Sequence, residues 1–133
     1  MSRKTARDIA FKLIFEIPFY QVASPCERIE FFFENTASDE MPENEKQYIT
    51  TLVTNCFDNL EEIDKKISSS LENWKIERLS KVDLSILRLA CTEILFMEDI
   101  PYKVSVNEAV ELGQTYGEDK TSKFINGVLS KIQ

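Results

Sequence analysis

An all-α fold of about seven helices follows from three features of this sequence. Apolar residues recur at three- and four-residue steps through most of its 133 residues. Its 3 Gly and 4 Pro are too few for the many tight turns of a sandwich or barrel. No alternation of apolar and polar residues is long enough for a strand, Tyr102 to Val106 coming nearest. At 43% hydrophobic, the chain has the length and apolar content of one domain with a substantial core.

The first helix is predicted to start near Ser2 or Thr5 and to run to about Ile17, where Pro18 disfavours helical geometry in the residue before it. Ala6, Ile9, Ala10, Leu13, Ile14 and Ile17 form its buried stripe. Arg3 and Arg7 share another face, with Phe11 and Phe15 further along. Basic residues in a first turn oppose the helix dipole, which points to a role other than helix stability. Ser24-Pro25-Cys26-Glu27 supplies an N-cap, a first-turn proline and a capping-box glutamate for the second helix. Ile29, Phe32 and Phe33 face the core, with Phe31 partly buried. Asn35 to Asn44 reads as an acidic loop.

From Glu43 a long helix keeps the helical step through Tyr48, Leu52, Cys56, Leu60, Ile63, Ile67 and Leu71, with a break expected near Ser68-Ser69-Ser70. Trp74 is expected to anchor the core or a hinge, with a stacking role as the lesser alternative. The most apolar stretch follows, from Glu77 to Met97, with Ser80 as its cap and Asp83 reaching back as a capping-box acid. Only Ser85, Arg88 and Thr92 interrupt its apolar surface, the mark of a helix surrounded by other helices. It is too short and interrupted to span a membrane, which takes about 20 apolar residues. A buried Arg88 calls for a carboxylate or helix-end carbonyls. Ser105 and Glu108 form a capping box for a helix to about Tyr116, with Gly117 as a left-handed C-cap. Phe124, Ile125, Val128, Leu129 and Ile132 line the last helix. Gly127 within it implies a close helix–helix approach, since an unneeded glycine costs about 1 kcal/mol there.

There is no histidine, which removes Ser-His-Asp triads and His-containing zinc sites. The 3 cysteines, Cys26, Cys56 and Cys91, are widely spaced and read as reduced thiols of a cytoplasmic protein. No apolar leader segment is visible. No enzyme, metal, nucleotide or organic cofactor is indicated. The net charge of −7 is unevenly spread. Residues 1–15 balance at +3, residues 16–62 at −9, and residues 101–133 at zero. A basic head beside an acidic flank suits one anionic and one cationic partner, although uneven solvated helix faces would look the same.

Three blocks carry a family resemblance. They are the start, where Ala6-Arg7 opens an apolar helix after Arg3-Lys4; ERLSKVDLSILRLACTEIL at Glu77–Leu95; and PYKVSVNEAVEL at Pro101–Leu112 with YGEDKTSKFINGVLSKI at Tyr116–Ile132. Together they resemble the NusB family of transcription antitermination proteins, in register over the whole chain. The resemblance implies two packed three-helix bundles, about 1–72 and about 73–133, in one RNA-binding domain. It implies a non-catalytic factor that joins ribosomal protein NusE, recognises single-stranded boxA RNA, and helps assemble an antitermination complex on RNA polymerase. A second copy of the chain is a further partner it admits; a membrane is not.

Carried over by position, Arg3, Lys4 and Arg7 become phosphate contacts and Phe15 a stacking residue. Lys120, Lys123 and Phe124 join the same RNA surface, while Asp83 and Glu77 face NusE. The head holds fewer basic residues than many relatives. Single-strand binding weakens with salt at a slope of roughly 0.7 per phosphate, so three contacts leave binding fragile without a partner. Thr92 stands where relatives commonly have tyrosine. Two rivals are a helical interaction module without RNA binding and the helical module fused to RNA cytosine methyltransferases. The second lacks support from any glycine-rich cofactor loop.

Overall fold

The computed structural model describes residues 2–19, 25–35 and 41–132. Among these are seven α-helices and no strand: α1 (Arg3–Phe15), α2 (Pro25–Asn35), α3 (Glu43–Asp58), α4 (Leu60–Ser70), α5 (Lys81–Phe96), α6 (Tyr102–Tyr116) and α7 (Thr121–Leu129). Short 3-10 turns occupy Ile17–Phe19 and Ile76–Arg78. Helix α3 packs on α1 and α2, and α5, α6 and α7 pack on one another. Helix α4 leans on both groups, and α5 touches α1, α3, α4, α6 and α7. Its nearly all-round apolar surface is therefore covered by neighbours. Ile86, Leu87, Ala90 and Cys91 are wholly buried in a single core to which all seven helices contribute.

The hub begins where expected: the Ser80 hydroxyl accepts from the Asp83 N–H at 3.0 Å. Only this half of the capping box appears. Arg88 finds its carboxylate in Asp64 of α4, through two bonds of 2.9 and 2.8 Å. Thr92 is fully buried and donates to the Arg88 carbonyl, which satisfies its hydroxyl inside the core.

Several local expectations are corrected. Helix α1 ends at Phe15, ahead of Ile17. The long helix ends at the serines as expected but is also broken earlier, at Asn59, whose side chain bonds the Asn55 carbonyl at 2.9 Å and whose backbone leaves helical geometry. Ser69 and Ser70 bond the Lys66 carbonyl and finish α4. Helix α6 starts at Tyr102, after Pro101, and Ser105 lies buried within its first turns rather than capping it. Phe31 and Trp74 are exposed, at 62% and 59%. Ser24 lies outside the described residues.

Two glycines act differently from expectation. Gly117 is extended, at φ −96° and ψ −174°, not left-handed. A Cβ there would lie 2.5 Å from the Thr121 side chain, so closeness of the α6–α7 turn requires the glycine. At Gly127 a Cβ would meet nothing within 4 Å, so no helix approaches it. The close approach is made at Gly113, where a Cβ would lie 3.0 Å from Ser122 Oγ.

Candidate nucleic-acid interface

Ser2 opens α1 by accepting from the Thr5 N–H, leaving Arg3, Lys4 and Arg7 within the first two turns. Each meets a carboxylate of the same chain. The Arg3 guanidinium sits 4.3 Å above the Tyr48 ring and donates to Glu45 Oε2 at 2.7 Å. Lys4 is exposed and bridges Glu108 and Glu111 of α6; its bond to Glu111 is the largest cause raising its pKa. Arg7 is only 3% exposed. Its Nε donates to Glu93 Oε2 at 2.8 Å, and another nitrogen reaches Glu108 at 3.2 Å.

Glu93 is the centre of a buried polar knot. Its carboxylate also accepts from the Tyr48 hydroxyl and, at 2.7 Å, from Ser105. The knot therefore ties α1, α3, α5 and α6 at one point. Burial, followed by the Glu93 charge, pushes the Tyr48 hydroxyl far above its ordinary value. A buried ion pair contributes little net stability, but removing one partner strands a charge and costs about 3–5 kcal/mol. This explains an arginine in an otherwise apolar stripe: Arg7 fixes where α1 lies.

Further along α1, Phe11 stacks on Tyr116 with ring centres 4.9 Å apart, and half-buried Phe15 lies 6.3 Å from Phe11. The Tyr116 hydroxyl donates to Asp8, and Lys12 lies 6.0 Å from its ring. The α6–α7 turn is thus held beside the aromatic end of α1. It leads to Lys120, the N-cap residue of α7. Helices α3, α4 and α5 carry acids in their first turns, whereas α1 and α7 carry none. Lys120 and Lys123 oppose the α7 dipole, are exposed, and form no ion pair among the described residues. Lys120 and half-buried Phe124 line a groove of about 400 Å³ together with Asp83, Trp74, Arg78 and Glu118.

This arrangement has close counterparts. The NusB family model matches residues 4–133. The chain belongs to the NusB family. It is 48% identical to transcription antitermination protein NusB of Natranaerobius thermophilus, over 99% of this chain and 94% of the relative. Against the NusB of Clostridium novyi the identity is 45%, over 99% and 98%. Its fold superposes on T. maritima NusB with a TM-score of 0.86 at 33% identity, covering 99% of this chain and 90% of that one. A structure of antitermination factors NusB and NusE in complex with dsRNA matches at TM-score 0.83 and 31% identity, covering 98% and 94%.

Seen from the NusB fold, the residues expected to act together fall into three places. Arg3 and Lys4 stay at the surface in ion pairs, while Arg7 is turned inward onto Glu93 and Glu108. Phe15 is linked to the α6–α7 turn through Phe11 and Tyr116. Asp83 shares a groove with Lys120 and Phe124, whereas Glu77 lies exposed on the 3-10 turn outside it. Sequence reasoning missed Glu93, for which a carboxylate inside the apolar hub was the available signal, and it offered Trp74 as an anchor of the core or of a hinge, of which the exposed side chain excludes the core.

Proposed function

We propose that this chain is an RNA-binding transcription antitermination factor that acts with NusE on the single-stranded boxA element of nascent ribosomal RNA, as part of an antitermination assembly on RNA polymerase in the cytoplasm. The observation that carries this reading is the groove between the start of α5 and the start of α7. There an acid, Asp83, stands beside a cation and an aromatic, Lys120 and Phe124. A basic protein and a phosphate backbone can each find their complement there, and neighbouring surfaces let one stabilise the other. Lys120, Lys123, Phe124 and Phe15 supply RNA contacts, with Arg3 and Lys4 joining once their carboxylates are released. Asp83 and Glu77 face NusE. Arg7 positions α1. The dsRNA-bound NusB–NusE neighbour supports the pairing of an RNA with a NusE partner. No catalytic step belongs to this reading.

The test is binding of a boxA-containing single-stranded RNA against a scrambled RNA, with and without NusE. Preference for boxA that tightens with NusE is expected. Equal, weak binding to both RNAs in the presence of NusE contradicts the proposal.

A further inference from the structure

Trp74 is the single tryptophan of the chain, and most of its side chain is exposed. The link that carries it leaves α4 at Leu71, passes through Asn73 at φ 52°, and enters the 3-10 turn at Ile76. Asn73 is a residue type that tolerates the left-handed region, and this bend sets the path of the chain into Trp74. Trp74 lines two adjoining grooves. One is that of Asp83 and Lys120, and the other, of about 490 Å³, is lined by Leu71, Glu72, Lys123, Gly127 and Lys131 among others. Phe124 lines both. Two aromatics therefore stand along one continuous path.

The charge of that path favours a nucleic acid. Residues 120–133 contain Lys120, Lys123 and Lys131 and no acid, in a chain of net charge −7. Glu72, the carboxylate in the second groove, is occupied by Lys131, whereas Lys123 makes no ion pair among the described residues. Asp83 and Glu118 mark the first groove as the end nearer a protein partner. The open space at Gly127 leaves the α7 backbone accessible to a close-lying strand. An exposed aromatic and a half-buried one beside a row of lysines form the kind of arrangement that stacks unpaired bases while neutralising their phosphates.

We infer that Trp74 is a base-stacking residue and that single-stranded RNA leaving Phe124 continues past Trp74 into the groove of Lys123 and Gly127. This rests on the RNA reading above and adds to it a direction for the strand. Because Trp74 is the sole tryptophan, its emission reports the site directly. Two signals are read on the full chain with NusE present: anisotropy of a fluorescein-labelled boxA-containing RNA, and tryptophan-selective emission against the same unlabelled RNA, corrected for NusE alone. Quenching of Trp74 that follows the anisotropy curve is expected, and a fully paired duplex of the same sequence should leave the emission unchanged. Trp74→Ala should weaken single-strand binding roughly tenfold, and Trp74→Phe should restore most of it, since a ring is what stacking needs. Trp74 is outside the core, so both variants retain the fold, which circular dichroism verifies. Undiminished binding by Trp74→Ala with no quenching in the wild type overturns the inference while leaving the RNA reading intact. A Trp74 emission change produced by NusE alone and not altered by RNA also overturns it, and makes the residue a protein contact. Absence of any anisotropy change removes both readings together.

Discussion

The head of α1 and the edge of α7 carry the same kind of charge in opposite states. At the head, Arg3, Lys4 and Arg7 are each matched by a carboxylate from α3, α5 or α6. At the edge, Lys120 and Lys123 are exposed with no ion pair among the described residues. A cation already matched inside its own chain must give up that partner before it can bind phosphate, so the two regions differ in availability although their charge counts are similar. The head is chiefly an anchor that places α1, and under the proposed function the edge is the surface that meets the anionic ligand. Local charge balance could not separate these roles.

The largest effect that would break this contrast lies in the knot. Glu93→Gln removes the nearer of the two carboxylates that hold the buried Arg7 guanidinium, leaving only Glu108, and should cost up to about 3–5 kcal/mol in urea unfolding. Lys120→Gln and Lys123→Gln should each stay within about 0.5 kcal/mol of the parent. Charge reversal at Arg7 consequently reports on folding before it reports on RNA. If Glu93→Gln unfolds like a surface substitution, the anchor role is lost.

Alkaline pH probes the same buried region. Burial raises Cys56 to about 11 and Cys91 to about 12, from an ordinary 9.0, and pushes Tyr48 well above its ordinary 10.0. The native state holds these protons where the unfolded chain has released them, so their contribution is intact below pH 9.0 and is lost as pH rises beyond it. Each such group contributes a loss of about 1.4 kcal/mol per pH unit between its unfolded and folded values. Urea midpoints measured from pH 8 upward should fall in that direction. A midpoint that rises through this window contradicts the burial of the three groups.

A smaller effect sharpens the contrast. Glu111→Gln removes the closer of the two carboxylates on Lys4 and leaves Glu108, and since exposed ion pairs are worth about 0–1 kcal/mol, RNA affinity should rise by no more than about fivefold. A loss of affinity would mean that Glu111 itself assists binding. The smallest change is Gly127→Ala. Its added methyl meets nothing and relieves the helix of a glycine, so unfolding should become up to about 1 kcal/mol harder. Destabilisation there would show that the glycine is needed for conformation.

Much of this architecture was legible in the pattern of side chains. Helical spacing located the helical stretches, with α3 and α4 read as one, Ser80 located the start of the hub, and Arg88 announced the need for a carboxylate that Asp64 meets. What escaped the sequence depends on contacts between distant residues. Ser105 looked like a cap because its partner Glu93 lies on another helix, and Gly117 looked left-handed because the nearness of Thr121 could not be read from spacing. Trp74 was read as an anchor of the core or of a hinge, and its exposure follows from its place in a link whose direction is set by Asn73. The candidate site was partly legible in the same way. Its residue types were visible, but which cations were already paired was a property of the packed helices.

The most direct test of the central claim is the salt dependence of boxA RNA binding, with NusE present, for the wild type, Lys120→Gln/Lys123→Gln and Arg3→Gln/Lys4→Gln. The edge variant should lower the slope of log affinity against log salt by about 1.4, at roughly 0.7 per single-strand phosphate. The head variant should lower it less, because its cations begin in ion pairs. A head variant that loses as much slope as the edge variant, or more, would contradict the account.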